Sequence, residues 1–321
     1  MKPATLLRWE SMLAAVLVVE FIVFSTISPY FLSVDTLSDA TFNFTERAIV
    51  ALPLALLIIA GEIDISVAAI IALASVAMGL ASAQGMGTAG IAGVGLGTGL
   101  LAGCINGALV TLGRVPSIVA TIGTMTLFRG AAYAVLGDRV LKDYPESFAA
   151  FGQGYFAGPV SIELALFALF ALSFGVFLHR TRWGRTIFAI GANPVASRFA
   201  GVTVNRYRFA LFALTGLFSG LAAVLLTSRL GSTRPSIAQG WELEIISMVI
   251  LGGVSVWGGK GSIAGVVLAA LVFGLVTFGL GLMNIPGIVM SIFTGTLLIL
   301  VVAVPALVNR PRVNKPRINR Q

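Results

Sequence analysis

The 321 residues are 57% hydrophobic and only 11% charged, with a mean hydropathy of +0.98. A chain this apolar cannot close as a water-soluble domain, so the soluble globular and disordered classes are excluded. The net charge of +8 is spread through short connections between apolar runs, which makes it a topology signal and excludes nucleic acid as a partner.

Apolar runs of about 20 residues read as membrane-spanning helices, because that length covers the hydrocarbon and satisfies its own backbone. In chain order the spans are expected at about 11–28, 47–60, 65–83, 89–112, 117–136, 160–178, 208–228, 243–257, 262–282 and 286–307. The expected fold class is all-α: a polytopic membrane helix bundle of about ten transmembrane helices, one integral domain over 1–321, with both termini cytoplasmic. The first run is too long for a signal peptide and lacks a small-residue cleavage site before Pro29, so it reads as a retained span. The second and eighth are short and bordered by glycine and acid, as a broken or re-entrant segment would be.

With the N-terminus inside, the inside connections carry Lys2, Arg8, Arg114, Arg180, Arg182, Arg185, Arg198, Arg206, Arg208, Lys260 and a basic tail at 309–321. The outside connections carry Asp35, Asp39, Asp138, Asp143, Glu146 and Glu242. That asymmetry fits the positive-inside rule with an even number of spans.

Charge at membrane depth is costly and marks protein-facing or water-facing positions. Glu20 lies late in the first span, and "AGEIDIS" sets Glu62, Asp64 and Ser66 between the second and third. Glu62 and Asp64 read as an acidic loop at the inner surface, as partners for a nearby arginine, or as part of a broken helix lining a transport path. Asn106, Ser117, Thr121, Thr124 and Thr126 lie on or beside the fourth and fifth spans, where they suit helix-to-helix hydrogen bonds or a pore wall. Arg129 in the fifth span, and Glu242 and Glu244 opening the eighth, complete the substrate-path candidates.

"GLGTGLLAGCING" places Gly95, Gly99, Gly103 and Gly107 four residues apart, on one helix stripe where two backbones can approach. Gly216 with Gly220, and Gly261 with Gly265 and Ala269, repeat the pattern. Helix packing is the plain reading, and small sliding motions are the functional one.

The longest inside connection, 182–208, is basic and free of acid. "NPVASRFAGV" gives Asn193 as an N-cap, Pro194 at the first helical position, Arg198 in the body and Gly201 as the stop of a short surface helix.

Two nucleotide-like patterns fail. "GTGLLA" lies inside a span with no strand before it, and "VSVWGGKG" has Val254 and Gly261 where a phosphate loop needs glycine and Ser or Thr. One histidine, His179, and one cysteine, Cys104, cannot assemble a zinc or histidine-based catalytic site. No catalytic residue and no metal ligand is therefore expected.

Four stretches carry a family resemblance: "AGEIDISVAAIIALAS", "NGALVTLGRVPSIVATIGTMTLFRG", "GRTIFAIGANPVASRFAGV" and "SRLGSTRPSIAQGWELEIISMVILGGVSVWGGKGSIAG". The chain resembles the permease subunit of a bacterial sugar-importing ABC transporter, of the ribose, xylose and rhamnose class, over nearly its whole length. Glu62 in "GEIDISVAA" and the segment "GSTRPSIAQGWELE" look more like the rhamnose branch, so L-rhamnose or a related deoxy sugar is the expected cargo.

The resemblance implies a multi-pass protein of the inner membrane, in contact with lipid. It implies a cytoplasmic ATPase that binds ATP and magnesium on the permease's behalf, a periplasmic sugar-binding protein, and a second permease as homo- or heterodimer. It also implies that Gly184 to Gly201 is the ATPase-docking segment, with Gly184, Arg185, Gly191, Asn193, Pro194, Ala196, Arg198 and Gly201 as its residues. A bulky replacement at Gly191 or Pro194 is expected to misplace that segment and abolish ATP-coupled uptake. The rival readings are a stand-alone proton-coupled transporter using Glu62, Asp64 or Glu20, and a purely structural scaffold.

Overall fold

The computed structural model describes residues 3–42, 44–287, 289, 290, 292, 295 and 296. The chain runs through α1 (Pro3–Ile27), α2 (Val34–Phe42), α3 (Thr45–Ile59), α4 (Val67–Ala83), α5 (Thr88–Thr111), α6 (Ser117–Leu136), α7 (Ala150–Gln153), α8 (Ile162–Arg180), α9 (Arg182–Ala192), α10 (Pro194–Phe199), α11 (Val204–Leu230), α12 (Trp241–Leu251) and α13 (Ile263–Leu282). A small antiparallel hairpin, β1 (Tyr155–Ala157) with β2 (Val160–Ser161), precedes α8. The architecture is an all-α polytopic bundle.

Among the described residues, six helices are long and apolar enough to cross a membrane: α1 from Trp9, then α5, α6, α8, α11 and α13. Three expected spans are shorter helices. α4 has 17 residues, α3 has 15 and α12 has 11. At 1.5 Å of rise per residue, α12 reaches only about 16 Å, roughly half the hydrocarbon thickness. The expected span at 286–307 lies largely outside the described residues, and the basic tail at 309–321 lies wholly outside them.

α3 is the centre of the bundle. Every one of its residues but Arg47 is buried, packed by α8, α11, α12 and α13. A helix apolar on all faces is one that neighbours enclose. Enclosure also explains why Pro53 sits inside it, since protein surrounds the backbone group that proline leaves unpaired.

The α5 stripe makes the close backbone approach its spacing suggests, and the helix it meets is α11. A Cβ on Gly99 would stand 2.6 Å from the Cα of Gly220, and one on Gly103 would stand 2.9 Å from the Cα of Gly216. Gly95 packs on Met78 and Val224, and Gly107 on Phe209. The third pattern is different in kind. Gly261 precedes α13 and abuts the side chains of Ile59 and Val254, while Gly265 packs against the backbone of Gly252 at the end of α12. No single helix stripe joins them, because the helix starts two residues after Gly261.

Side-chain and backbone contacts sort the connections into two ends. At one, Asn205 donates to the carbonyl of Thr111 at 3.3 Å, Gly259 N–H to that of Ile59 at 2.8 Å, and Trp9 Nε1 to that of Leu251 at 2.8 Å. At the other, Ser38 donates to the carbonyl of Pro159 at 2.5 Å, Ser82 to that of Asp143, and Leu141 bridges Thr233. The first is the basic end and the second the acidic end, the same partition that charge alone predicts.

Candidate functional site

The basic end is organised around the break between α3 and α4. α3 stops in a Schellman motif: Gly61 N–H donates to Ile58 O at 2.9 Å and Glu62 N–H to Leu57 O at 3.1 Å. Gly61 holds φ +85°, where a Cβ is penalised. Asp64 then starts α4, its Oδ1 accepting from the Ser66 N–H at 2.8 Å and the Ser66 hydroxyl at 2.7 Å. Asn106 on α5 donates to Ser66 Oγ at 2.7 Å and to Asp64 Oδ2 at 3.2 Å. Asp64, Ser66 and Asn106 are fully buried, so this cluster fixes α5 to the break.

α6 closes over it. Ser117 Oγ accepts from the Ile63 N–H at 3.3 Å, Thr121 donates to Ser117 O at 2.8 Å, and Thr124 donates to Thr121 O at 3.3 Å. Glu62 turns the other way and forms an ion pair with Arg208 Nε at 2.9 Å. Glu62 thus has an arginine partner, while Asp64 stays inside the helix break. Between these walls lies a cavity of about 570 Å³, lined by Glu62, Thr111, Arg114, Ser117, Arg198, Asn205 and Arg208 among others.

The basic island forms two helices where the spacing predicts one. α9 begins at Thr181, whose Oγ1 accepts from the Gly184 N–H at 3.2 Å, and buries Ile187 and Ile190 while Arg182 and Arg185 stay exposed. α10 has the expected caps: Asn193 Oδ1 accepts from the Ala196 N–H at 2.9 Å, Pro194 opens the helix, and Gly201 ends it at φ +83°. Phe199 is 89% exposed and Trp257, on the neighbouring connection, 91%. Large apolar side chains beside exposed arginines have the composition of a protein interface.

Gly191 is the seat of this island. A Cβ there would overlap the carbonyl oxygen of Ile59 and lie 2.5 Å from the Gly259 nitrogen. A Cβ on Gly258 would be 3.1 Å from both Gly61 N and Gly191 O. Gly258 and Gly259 of the failed phosphate-loop pattern therefore serve close backbone packing. Three connections meet there: the end of α3, the α9–α10 junction and the loop before α13.

Three other candidates, Arg129, Glu242 and Glu244, do not meet the break's cluster. Arg129 donates to the carbonyls of Pro235 at 2.8 Å, Ile237 at 2.7 Å and Ala68 at 3.2 Å, so it clamps the segment before α12 onto α4. Glu244 pairs with Arg47, whose guanidinium lies 4.6 Å from the centroid of the Trp241 ring. Glu242 keeps a buried oxygen without a partner. Glu20 on α1 likewise stands apart, half-buried with one unpartnered oxygen.

The sequence reading missed the neighbours of these groups. Glu46 accepts from Arg229 Nε at 2.7 Å, and Glu163 is fully buried with both carboxylate oxygens unpartnered. Beside them a cavity of about 380 Å³ is lined by Asp39, Phe42, Gly152, Gln153, Tyr155 and Arg229. The signal existed in "TERAIV" and "SIELALF", where an acid borders an apolar run, but at a run's edge it looked like ordinary loop charge.

With this geometry in hand, comparison with known proteins gives a consistent answer. The family model described as "Branched-chain amino acid transport system / permease component" matches residues 37–302. The "Autoinducer 2 import system permease protein LsrD" of Enterobacter sp. (strain 638) is 37% identical over 302 residues, covering 92% of this chain and 92% of the relative. The proteins of that name in Klebsiella pneumoniae subsp. pneumoniae and Escherichia coli (strain K12) are 36% and 37% identical, each over 92% of this chain and 91% of their own. No solved structure matches the chain.

Proposed function

The chain belongs to the branched-chain amino acid transport system / permease component family, and from that premise we propose that α9 and α10 are the lever through which a cytoplasmic ATPase drives it. It is the permease subunit of an ABC importer, a multi-pass protein of the bacterial inner membrane and not an enzyme. Such a subunit implies an ATPase and a periplasmic binding protein as partners. In this reading ATP and magnesium belong to the ATPase, the basic end faces the cytoplasm, and a second permease completes the pathway.

One observation carries the lever. Gly191 rests directly on the end of α3 and on the Gly258–Gly259 turn, so movement of the island reaches the enclosed central helix without an intervening side chain. Glycine-tight backbone contact transmits displacement because nothing compressible lies between the parts. The residues proposed to meet the ATPase are Arg185, Ala196 and Arg198, which are exposed. Gly184, Gly191, Asn193 and Gly201 set the island's shape, and Pro194 opens α10.

The cargo proposed is a small polyhydroxylated molecule of the monosaccharide or autoinducer 2 kind. The relatives at 36% and 37% identity are named for autoinducer 2; none of these is named for L-rhamnose, the cargo expected from the resemblance. The full chain, reconstituted with its ATPase and binding protein, should take up such a cargo only when ATP is hydrolysed. Uptake by the permease alone, or uptake abolished by a proton uncoupler with ATP present, would defeat the proposal.

A further inference from the structure

The cavity at the basic end has a charge balance that neither helix packing nor a neutral cargo requires. Three arginines line it, Arg114, Arg198 and Arg208, against one acid, Glu62. Glu62 is committed to Arg208, and neither Arg114 nor Arg198 has an ion-pair partner among the described residues. The positive-inside rule accounts for arginines at this end, but not for three that converge from separate elements on one concave wall.

The remaining lining is polar as well. Ser117 and Thr111 are buried at 8% and 7% exposure, and Asn205 joins them at the wall. A volume of about 570 Å³ falls within the range of small-molecule sites. Planar guanidinium forks with nearby hydroxyl and amide donors match the oxygens of a phosphate group, to which arginine bonds bidentately.

We propose that this cavity is a binding site for a phosphomonoester at the basic end, held chiefly by Arg114 and Arg198, with Arg208 released from Glu62 to join them. Its walls come from different elements. Arg114 lies in the α5–α6 connection, Arg198 on α10 and Arg208 on α11. A bound phosphate therefore ties the island to the α5–α6 connection and restrains the lever. That restraint rests on the transport reading given above; the binding itself does not.

The test uses the full chain in nanodiscs of phosphatidylcholine, with glycerol 3-phosphate as the probe and glycerol at matched ionic strength as the blank. Wild type should bind the probe, and Arg114→Gln or Arg198→Gln should each weaken binding about tenfold, as loss of a charged hydrogen-bond partner does. Arg180→Gln, which removes an exposed cation outside the cavity, should leave binding unchanged. Glu62→Gln should tighten binding, because it frees Arg208; this opposite sign separates a site from a folding defect.

A second arm places phosphatidic acid in the nanodisc. If it raises the melting temperature in an Arg114- and Arg198-dependent way while glycerol 3-phosphate has no effect, the phosphate belongs to a lipid headgroup in the same site. Absence of a response to both probes, or a response that survives in Arg114→Gln and Arg198→Gln, overturns the proposal. None of these readouts requires transport, so they stand apart from any failure of the ATP-driven reading.

Discussion

Asp64 shows how much one side chain decides at the break between α3 and α4. Its two oxygens accept three hydrogen bonds, from the Ser66 backbone, the Ser66 hydroxyl and Asn106, all out of water. Asp64→Ala would leave those buried donors unpaired at a cost of about 2 kcal/mol or more. The variant should melt well below wild type in detergent, and Asp64→Asn should recover part of the loss because its amide oxygen can still accept. Wild-type melting of Asp64→Ala would show that the cluster does not stabilise the fold. Sequence alone brought Asp64, Ser66 and Asn106 onto one list, but their union in one cluster depends on how α5 crosses the break, which no spacing encodes.

Also at this scale, Gly191 and Pro194 separate although the sequence treats them alike. Gly191→Val has no room, since its Cβ would overlap Ile59 O and crowd Gly259. Pro194 is half-exposed and opens α10, a position that other residues occupy readily. Gly191→Val should insert at normal levels and lose ATP-driven uptake, whereas Pro194→Leu should keep most of it. Immunoblots of membranes alongside uptake assays measure both, and equal uptake by the two variants would dissolve the distinction.

Among elements, the close packing of the α5 stripe was legible because glycine spacing is a direct statement about backbone distance, whereas its partner, α11, emerges only from the fold. Gly99 and Gly216 interlock at the crossing, but Gly97, two residues away on α5, faces open space within 4 Å. Gly99→Ala must push the helices apart, an overpacking cost of about 1–3 kcal/mol. Gly97→Ala meets nothing and gains up to about 1 kcal/mol of helix propensity. Their melting temperatures should therefore move in opposite directions, and a common shift would refute the stripe as the contact. The lengths of α3 and α12 were not legible in the same way. An apolar run reports removal from water, and enclosure by protein achieves that as fully as lipid does. Only the glycine and acid at their borders hinted that these helices are not simple crossings.

For the whole molecule, sidedness is the property on which the proposed lever turns, and the fold narrows it to a single binary choice. The connections holding Arg114, Arg182, Arg198, Arg208 and Lys260 share one end with the α3–α4 break, while Asp138, Asp143 and Glu146 share the other. Because the ends are rigidly sorted, one accessible position at each determines the orientation of all the rest. Val195 on α10 and Asp138 after α6 are both exposed. In a background with Cys104 replaced by alanine, Asp138→Cys should react with a membrane-impermeant thiol reagent in spheroplasts. Val195→Cys should react only after the inner membrane is opened. The energetic basis is that cationic loops resist transfer across a membrane that is negative inside, at about 2.3 kcal/mol per charge per 100 mV. Reaction of Val195→Cys in sealed spheroplasts would place the island outside, where no ATP-hydrolysing partner could reach it, and would remove the lever together with the direction of transport.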